Sequence, residues 1–198
     1  MTGAIIHVVL LLAAIAPPDA GAPARAPGRA GGAGPPATIS SRAEVETALG
    51  KANGAADLQR LAATAQGPLM AIASDRATSE MVRSRAFAAL AYARNVRAAS
   101  FLENFIVAKT PSSDATDRVL LRRAAVALGW QADPRLVETV APLLDNADAE
   151  VRLDAAVALG LGRARSAEGP LRARLANETD SGVRRQIEAS LRSVTAAR

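Results

Sequence analysis

Cysteine is absent and histidine occurs once, at His7. Without thiols there can be no disulfide, no thiolate metal ligand and no thiol nucleophile. If the leader that carries His7 is removed, imidazole chemistry goes with it. That excludes a His/Cys zinc site and a histidine-based triad. Aromatic residues are also scarce, being limited to Phe87, Tyr92, Phe101, Phe105 and Trp130 in 198 residues. The core must therefore be built from Ala, Leu and Val. Small side chains let helices approach closely, and Ala and Leu are strong helix formers, so the composition predicts an all-α fold.

Long runs of like charge are missing too. The formal net charge is +5, yet residues 43–118 carry nine basic and eight acidic groups and residues 119–198 carry twelve and ten. A near-balanced domain argues against nucleic acid as the partner, since phosphate-tracking proteins concentrate cations on one face. Carboxylates stand singly at turns and helix starts (Asp133, Asp145, Asp148, Asp180), with no close pair for acid/base work. The glycines of Ala30–Gly34 follow no strand and form no phosphate loop. No cofactor and no metal site is implied.

Thirteen mostly apolar residues, Ala4–Ala16, end at Pro17-Pro18. The run is shorter than the ~20 residues needed to span a bilayer, but it suits the h-region of a signal peptide. It lacks a basic n-region, and prolines follow both small-residue cleavage motifs. An ordinary buried helix and an uncleaved inner-membrane anchor are the alternatives. Pro17–Pro36 is almost wholly Pro, Ala, Gly and Arg, with too little apolar bulk to order itself. The expected organisation is a leader over residues 1–22, a linker over 23–38 and a folded domain over 39–198, in an exported (periplasmic or secreted) protein.

The domain repeats itself. Ala-Ala-Val-Ala-Leu-Gly occurs at residues 124–129 and again 31 positions later at 155–160. Related copies surround Leu49, Leu90 and Leu191, so that the marker leucines are Leu49, Leu90, Leu128, Leu159 and Leu191. A candidate N-cap opens each unit (Ser79, Asp117, Asp148, Asp180), and an apolar residue follows three later (Val82, Leu120, Val151, Val183). Gly129 and Gly160 then suit left-handed C-caps. Second helices are expected over 96–108, 134–144 and 167–176. A single helix pair cannot bury both its apolar sides, so successive pairs must stack.

The stretch Asp148-Ala-Glu-Val-Arg-Leu-Asp-Ala-Ala-Val-Ala-Leu-Gly160, with Asp180-Ser-Gly-Val-Arg184, resembles the HEAT-like repeats of the phycobilisome-lyase type. The resemblance covers residues 79–194 well and 42–75 poorly. It implies a right-handed α-α superhelix, a HEAT/armadillo-like solenoid of about four helix pairs plus a closing helix. It also implies that the second helices line a concave binding face. Exposed candidates there are Arg97, Phe101, Asn104, Arg135, Thr139, Arg172 and Arg174. The function expected is a non-catalytic protein–protein interaction scaffold of exported bacterial type, with another protein as partner and a membrane involved only if the leader stays uncleaved. The family includes chromophore lyases, so a lyase-type accessory enzyme is one alternative, and nucleic-acid binding through surface arginines is the other.

Further features are specific enough to test. Arg83, Arg152 and Arg184 recur in the first turn of a helix, where a cation opposes the macrodipole. A ladder to acidic residues of neighbouring units would explain them, interrupted at Leu121; solvated surface arginine is the alternative. Lys109–Thr116 lengthens one unit and is expected to loop out. Tyr92 and Trp130 share a register position, either filling the groove between units or forming an exposed aromatic step. The last unit ends after its first helix, with Arg185, Glu188, Ser190 and Arg192 as a polar terminal cap.

Overall fold

A computed structural model of the chain describes residues 41–196. The expected leader and linker lie outside the described residues. What is described is all-helical, without a strand. Three helices come first: α1 (Arg42–Lys51), α2 (Ala55–Thr64) and α3 (Gln66–Ser74). They are followed by α4 (Glu80–Leu90), α5 (Val96–Lys109), α6 (Ala115–Gln131) and α7 (Leu136–Val140), which runs on as a 3-10 segment (Ala141–Asp145). After α8 (Ala149–Gly162) come a short 3-10 turn (Arg165–Ala167), α9 (Glu168–Asn177) and α10 (Ser181–Ala196). The first unit thus holds three helices in place of the expected pair. The second helix of the third unit tightens at Pro142, which has no amide hydrogen for an α-helical bond.

The first helices of successive units, α4, α6, α8 and α10, pack each on the next. They run parallel, because contacts advance together along both members of a pair. Arg118 Nε reaches Asp148 Oδ2 (3.3 Å) near the start of α6 and α8, Arg122 Nε reaches Asp154 Oδ2 (2.7 Å) further along, and Gly129 meets Ala158 toward their ends. Helices α6 and α8 are pressed from both sides, so each buries residues nearly all round, including Leu120, Ala124, Ala127 and Leu128 or Val151, Ala155, Ala158 and Leu159. By contrast α10 buries only the stripe Val183, Ile187, Ser190 and Val194. Arg185, Glu188 and Arg192 face water as a terminal cap should, whereas Ser190 is buried and donates to Ala156 O at 2.7 Å.

Gly129 and Gly160 are not C-caps. Both lie inside their helices, and no glycine among the described residues has a positive φ. The left-handed residue comes three positions later and is not glycine: Arg94 (φ 36°), Ala132 (φ 51°) and Arg163 (φ 51°), at one register position of three units. The two glycines serve close approach instead. A Cβ on Gly129 would stand 2.5 Å from Ala158 O and 2.8 Å from its Cα. One on Gly160 would stand 2.6 Å from Ser190 Oγ and 3.0 Å from its Cα. Each glycine therefore lets its helix touch the backbone of the following first helix.

Two further expectations change. Helix α6 starts earlier than expected, with Asp114 as N-cap; its carboxylate accepts from Asp117 N–H at 2.8 Å. Asp117, moved into the first turn, is buried and accepts from Lys109 Nζ (2.9 Å), Ser112 Oγ (2.9 Å) and Arg76 Nη2 (3.3 Å). The inserted segment is thereby pinned at both ends and shortened, since Lys109 still belongs to α5. Ser79 does hold the N-cap position of α4, but its side chain makes no capping hydrogen bond.

The glycine seam is directly testable. Gly129→Ala is expected to destabilise the fold by about 1–3 kcal/mol despite alanine's higher helix propensity, because backbone atoms cannot rotate out of the way. Gly50→Ala, on α1 with nothing within 4 Å of the new Cβ, should stabilise by up to about 1 kcal/mol. Denaturant titration of both variants checks the contrast; two shifts of the same sign would remove the close-approach explanation.

Candidate interaction surface

The second helices form their own layer, with α3 against α5, α5 against α7, and α9 against the 3-10 segment after α7. In α5 the residues Ala98, Ala99, Leu102, Phe105 and Ile106 turn inward. Helical geometry then sends Val96, Ser100, Asn104 and Val107 to the opposite side. Val96 and Val107 are 74% and 63% exposed. Sequence reasoning missed both, although two large apolar residues three turns apart on a polar face are the pattern that would reveal them.

The expected candidates divide by environment. Arg97 and Asn104 are exposed. Phe101 is half-buried, stacked on Phe87 at 6.2 Å between centroids and 6.4 Å from Phe105. It belongs to an aromatic cluster at the core margin and not to an open face. Thr139 is buried at 9% exposure, because α7 is rolled inward between Leu136 and Val140. These two do not present an open contact surface.

The three remaining arginines are all paired with acids, and two of them, Arg135 and Arg174, cross-link neighbouring helices of the layer. Arg135 joins Glu103 of the preceding second helix (2.6 Å) and Asp133 at its own helix start (3.1 Å). The hydrogen bonds that Arg135 donates to Asp133 raise its guanidinium above the ordinary value. Burial alone would raise the Asp133 carboxyl, but Arg135 holds it below the usual range. Arg172 pairs with Glu168 one turn earlier at 2.9 Å. Arg174 binds Glu178 at 3.0 Å and reaches Asp145 of the neighbouring unit at 3.6 Å.

The recurring arginines also find partners, though mostly not the expected ones. Arg83 is buried and donates from Nε to Ala73 O at 3.0 Å. Arg184 Nη1 donates to Leu175 O and Glu178 O, both at 3.0 Å. Arg152 Nη1 donates to Asn146 O (2.8 Å) and Ala147 O (2.9 Å). Each arginine caps the carbonyl end of the preceding second helix, where a cation is favoured by the dipole. Only Arg152 also has an acidic partner, Glu178 at the end of its own unit's second helix, through Oε2 (2.8 Å) and Oε1 (3.0 Å). The explanation is geometric. The first turn of one helix lies over the last turn of another, so carbonyls are nearer than carboxylates.

Glu178 is the most heavily used side chain. It is 3% exposed and also accepts from Arg174 Nε and from the amides of Thr179 and Asp180. The Arg152 hydrogen bonds, opposed by burial and reinforced by the Asp180 amide and Arg174, hold its carboxyl far below the ordinary carboxylate range. Deeper between α6 and α8, burial raises the Asp154 carboxyl despite its bond to Arg122. Tyr92 and Trp130 are packed against the core, as the groove-filling reading expects. Their hydroxyl and indole nitrogen are buried without a hydrogen-bond partner, and burial raises the tyrosine's pKa.

No group of three or more potential ligands among the described residues could hold a metal ion. No helix among them is long and apolar enough to cross a membrane.

The Glu178 network carries a pH dependence of defined sign. Its folded-state pKa lies below the ordinary value of 4.5, so its contribution is complete above that value and is lost as the pH falls below it. Glu178→Gln should cost about 3–5 kcal/mol at pH 7, since it leaves Arg152 buried without its charge partner. The difference from wild type should shrink toward pH 3, whereas a constant difference would exclude this linkage. Comparing the two proteins isolates Glu178 from Asp154, whose raised pKa acts in the opposite direction. No protein-family model and no characterised protein matches the chain.

Proposed function

We propose that residues 39–198 form a right-handed HEAT-like superhelix that works as a non-catalytic scaffold, holding a partner protein on the face of its second helices. The observation that carries this reading is the exposed strip Val96, Asn104 and Val107 on α5, beside Arg97. Two large apolar side chains remain in water there while the helix's other side is fully packed. The Arg135–Glu103 and Arg174–Asp145 pairs tie neighbouring second helices together beneath that face. A pre-organised surface loses little entropy on binding, which favours affinity. The 31-residue sequence repeat and the parallel packing of first helices support the superhelical reading. The apolar segment Ala4–Ala16 supports export of the scaffold, with an uncleaved leader giving a membrane-anchored form.

Photo-crosslinking tests the reading. A photoreactive residue at Asn104 of the full chain, leader included, should give one discrete adduct with a second protein in the exported fraction. The same probe at Glu188, on the opposite end helix, should give none. Equal labelling at both positions, or no adduct from Asn104, would overturn the scaffold proposal; retention of uncut chain in the cytoplasm would overturn export.

A further inference from the structure

The cations are divided between the two edges of the stack in a way that net charge conceals. Where second helices lead into first helices, the chain uses its own. Arg83, Arg152 and Arg184 bind carbonyls; Arg76 and Lys109 bind Asp117; Arg118 binds Asp148 at 3.3 Å. Where first helices turn into second helices the situation is reversed. Arg94, Arg97, Arg163 and Arg165 are all exposed, and none of their guanidiniums has a hydrogen-bond or ion-pair partner among the described residues. Of the acids of that edge, Asp133 and Glu168 are already taken by Arg135 and Arg172. Glu138, exposed in the first turn of α7, is an unpaired acid there, so the unpaired charge of this edge is predominantly, four to one, positive.

The repeat brings these arginines into line. Because the first helices are parallel, their C-terminal ends lie along one edge. Arg94 and Arg163 occupy the same left-handed position two units apart, with Ala132 between them. Neighbouring helices lie about 8–10 Å apart, so the two sites are roughly 16–20 Å from each other. An extended chain covers that span in about five or six residues. Arg97 and Arg165 stand within three residues of the two ends.

We propose that this edge docks an acidic, extended segment of the partner protein, whose carboxylates pair with Arg94, Arg97, Arg163 and Arg165. The inference rests on the scaffold reading and gives its partner a chemistry. Four guanidiniums suit carboxylates, which they can bind in a bidentate fork. They fall short of the roughly 6–10 phosphate contacts that make tight nucleic-acid binding. The nearest aromatics, Tyr92 and Trp130, are packed against the core and provide no platform on which bases could stack.

The test uses the full chain and a fluorescein-labelled 14-residue Glu/Ser peptide, read by anisotropy at physiological salt. The double variant Arg94→Glu/Arg163→Glu should weaken binding about tenfold, from two lost pairs and two new repulsions. Arg60→Glu/Arg185→Glu makes the same change in net charge away from this edge and should alter binding less than about twofold. Circular dichroism melts of both variants should match wild type, since all four residues are exposed. Equal weakening by the two variants overturns the proposal, as does failure of the peptide to bind. Tighter binding to an oligothymidylate of equal charge, or to phosphatidylserine vesicles, overturns it in favour of those partners. If the peptide fails while the Asn104 adduct persists, the edge proposal falls and the scaffold reading stands.

Discussion

The structure depends on one steric constraint: parallel first helices touch backbone to backbone. At Gly129 and Ala158, and again at Gly160 and Ser190, there is no room for one more carbon atom. Close contact of this kind maximises dispersion between helices that have almost no aromatic side chains to fill a wider gap. It also fixes register, because small residues must face small residues. The alanine-rich composition thus follows from the geometry. With Ala89, Ala127, Ala158 and Ser190 at one recurring position, all buried, the spacing between units can stay short throughout.

Once the first helices are locked in parallel, the ends of the second helices fall over the starts of the next first helices. The exposed carbonyls there need donors, and Arg83, Arg152 and Arg184 provide them. A cation in a first turn is unfavourable for its own helix but favourable for the helix end beneath it. In the unit where Leu121 replaces arginine, the end of α5 is served by Thr110, whose hydroxyl donates to Ile106 O at 2.8 Å. Lys109, Ser112 and Arg76 gather on Asp117 instead. The inserted residues therefore supply an alternative junction. Using cations internally on this edge leaves the opposite edge as the place where positive charge is still available.

Much of this was legible in the residues. Leu49, Leu90, Leu128 and Leu159 are buried at 1% exposure or less, as the alignment requires. Leu191 is only half-buried, on the outer side of α10. The paired-helix rhythm, the caps at Asp148 and Asp180 and the polar final helix also follow from the sequence. The role of the glycines did not, because a glycine after a marker leucine satisfies both a C-cap and a close contact. Only the neighbouring backbone distinguishes them. For the same reason Phe101 and Thr139 looked exposed: their burial depends on how α5 and α7 are rolled, which periodicity fixes to within about one residue. Of the surface candidates, Arg97 and Asn104 remain open. Arg172 and Arg174 are occupied by Glu168 and Glu178 one helical turn away, a spacing the sequence shows, whereas the links of Arg135 to Glu103 and of Arg174 to Asp145 depend on packing between helices.

A stack held by nearest-neighbour contacts should respond locally when one seam is opened. Amide hydrogen exchange on Gly160→Ala measures this directly, since the new Cβ strikes Ser190 at the junction of α8 and α10. The account predicts faster exchange in both of those helices, with protection in α4 and α5 unchanged. Faster exchange confined to α8, or a uniform loss across all helices, would contradict the claim that the backbone seam holds the units together.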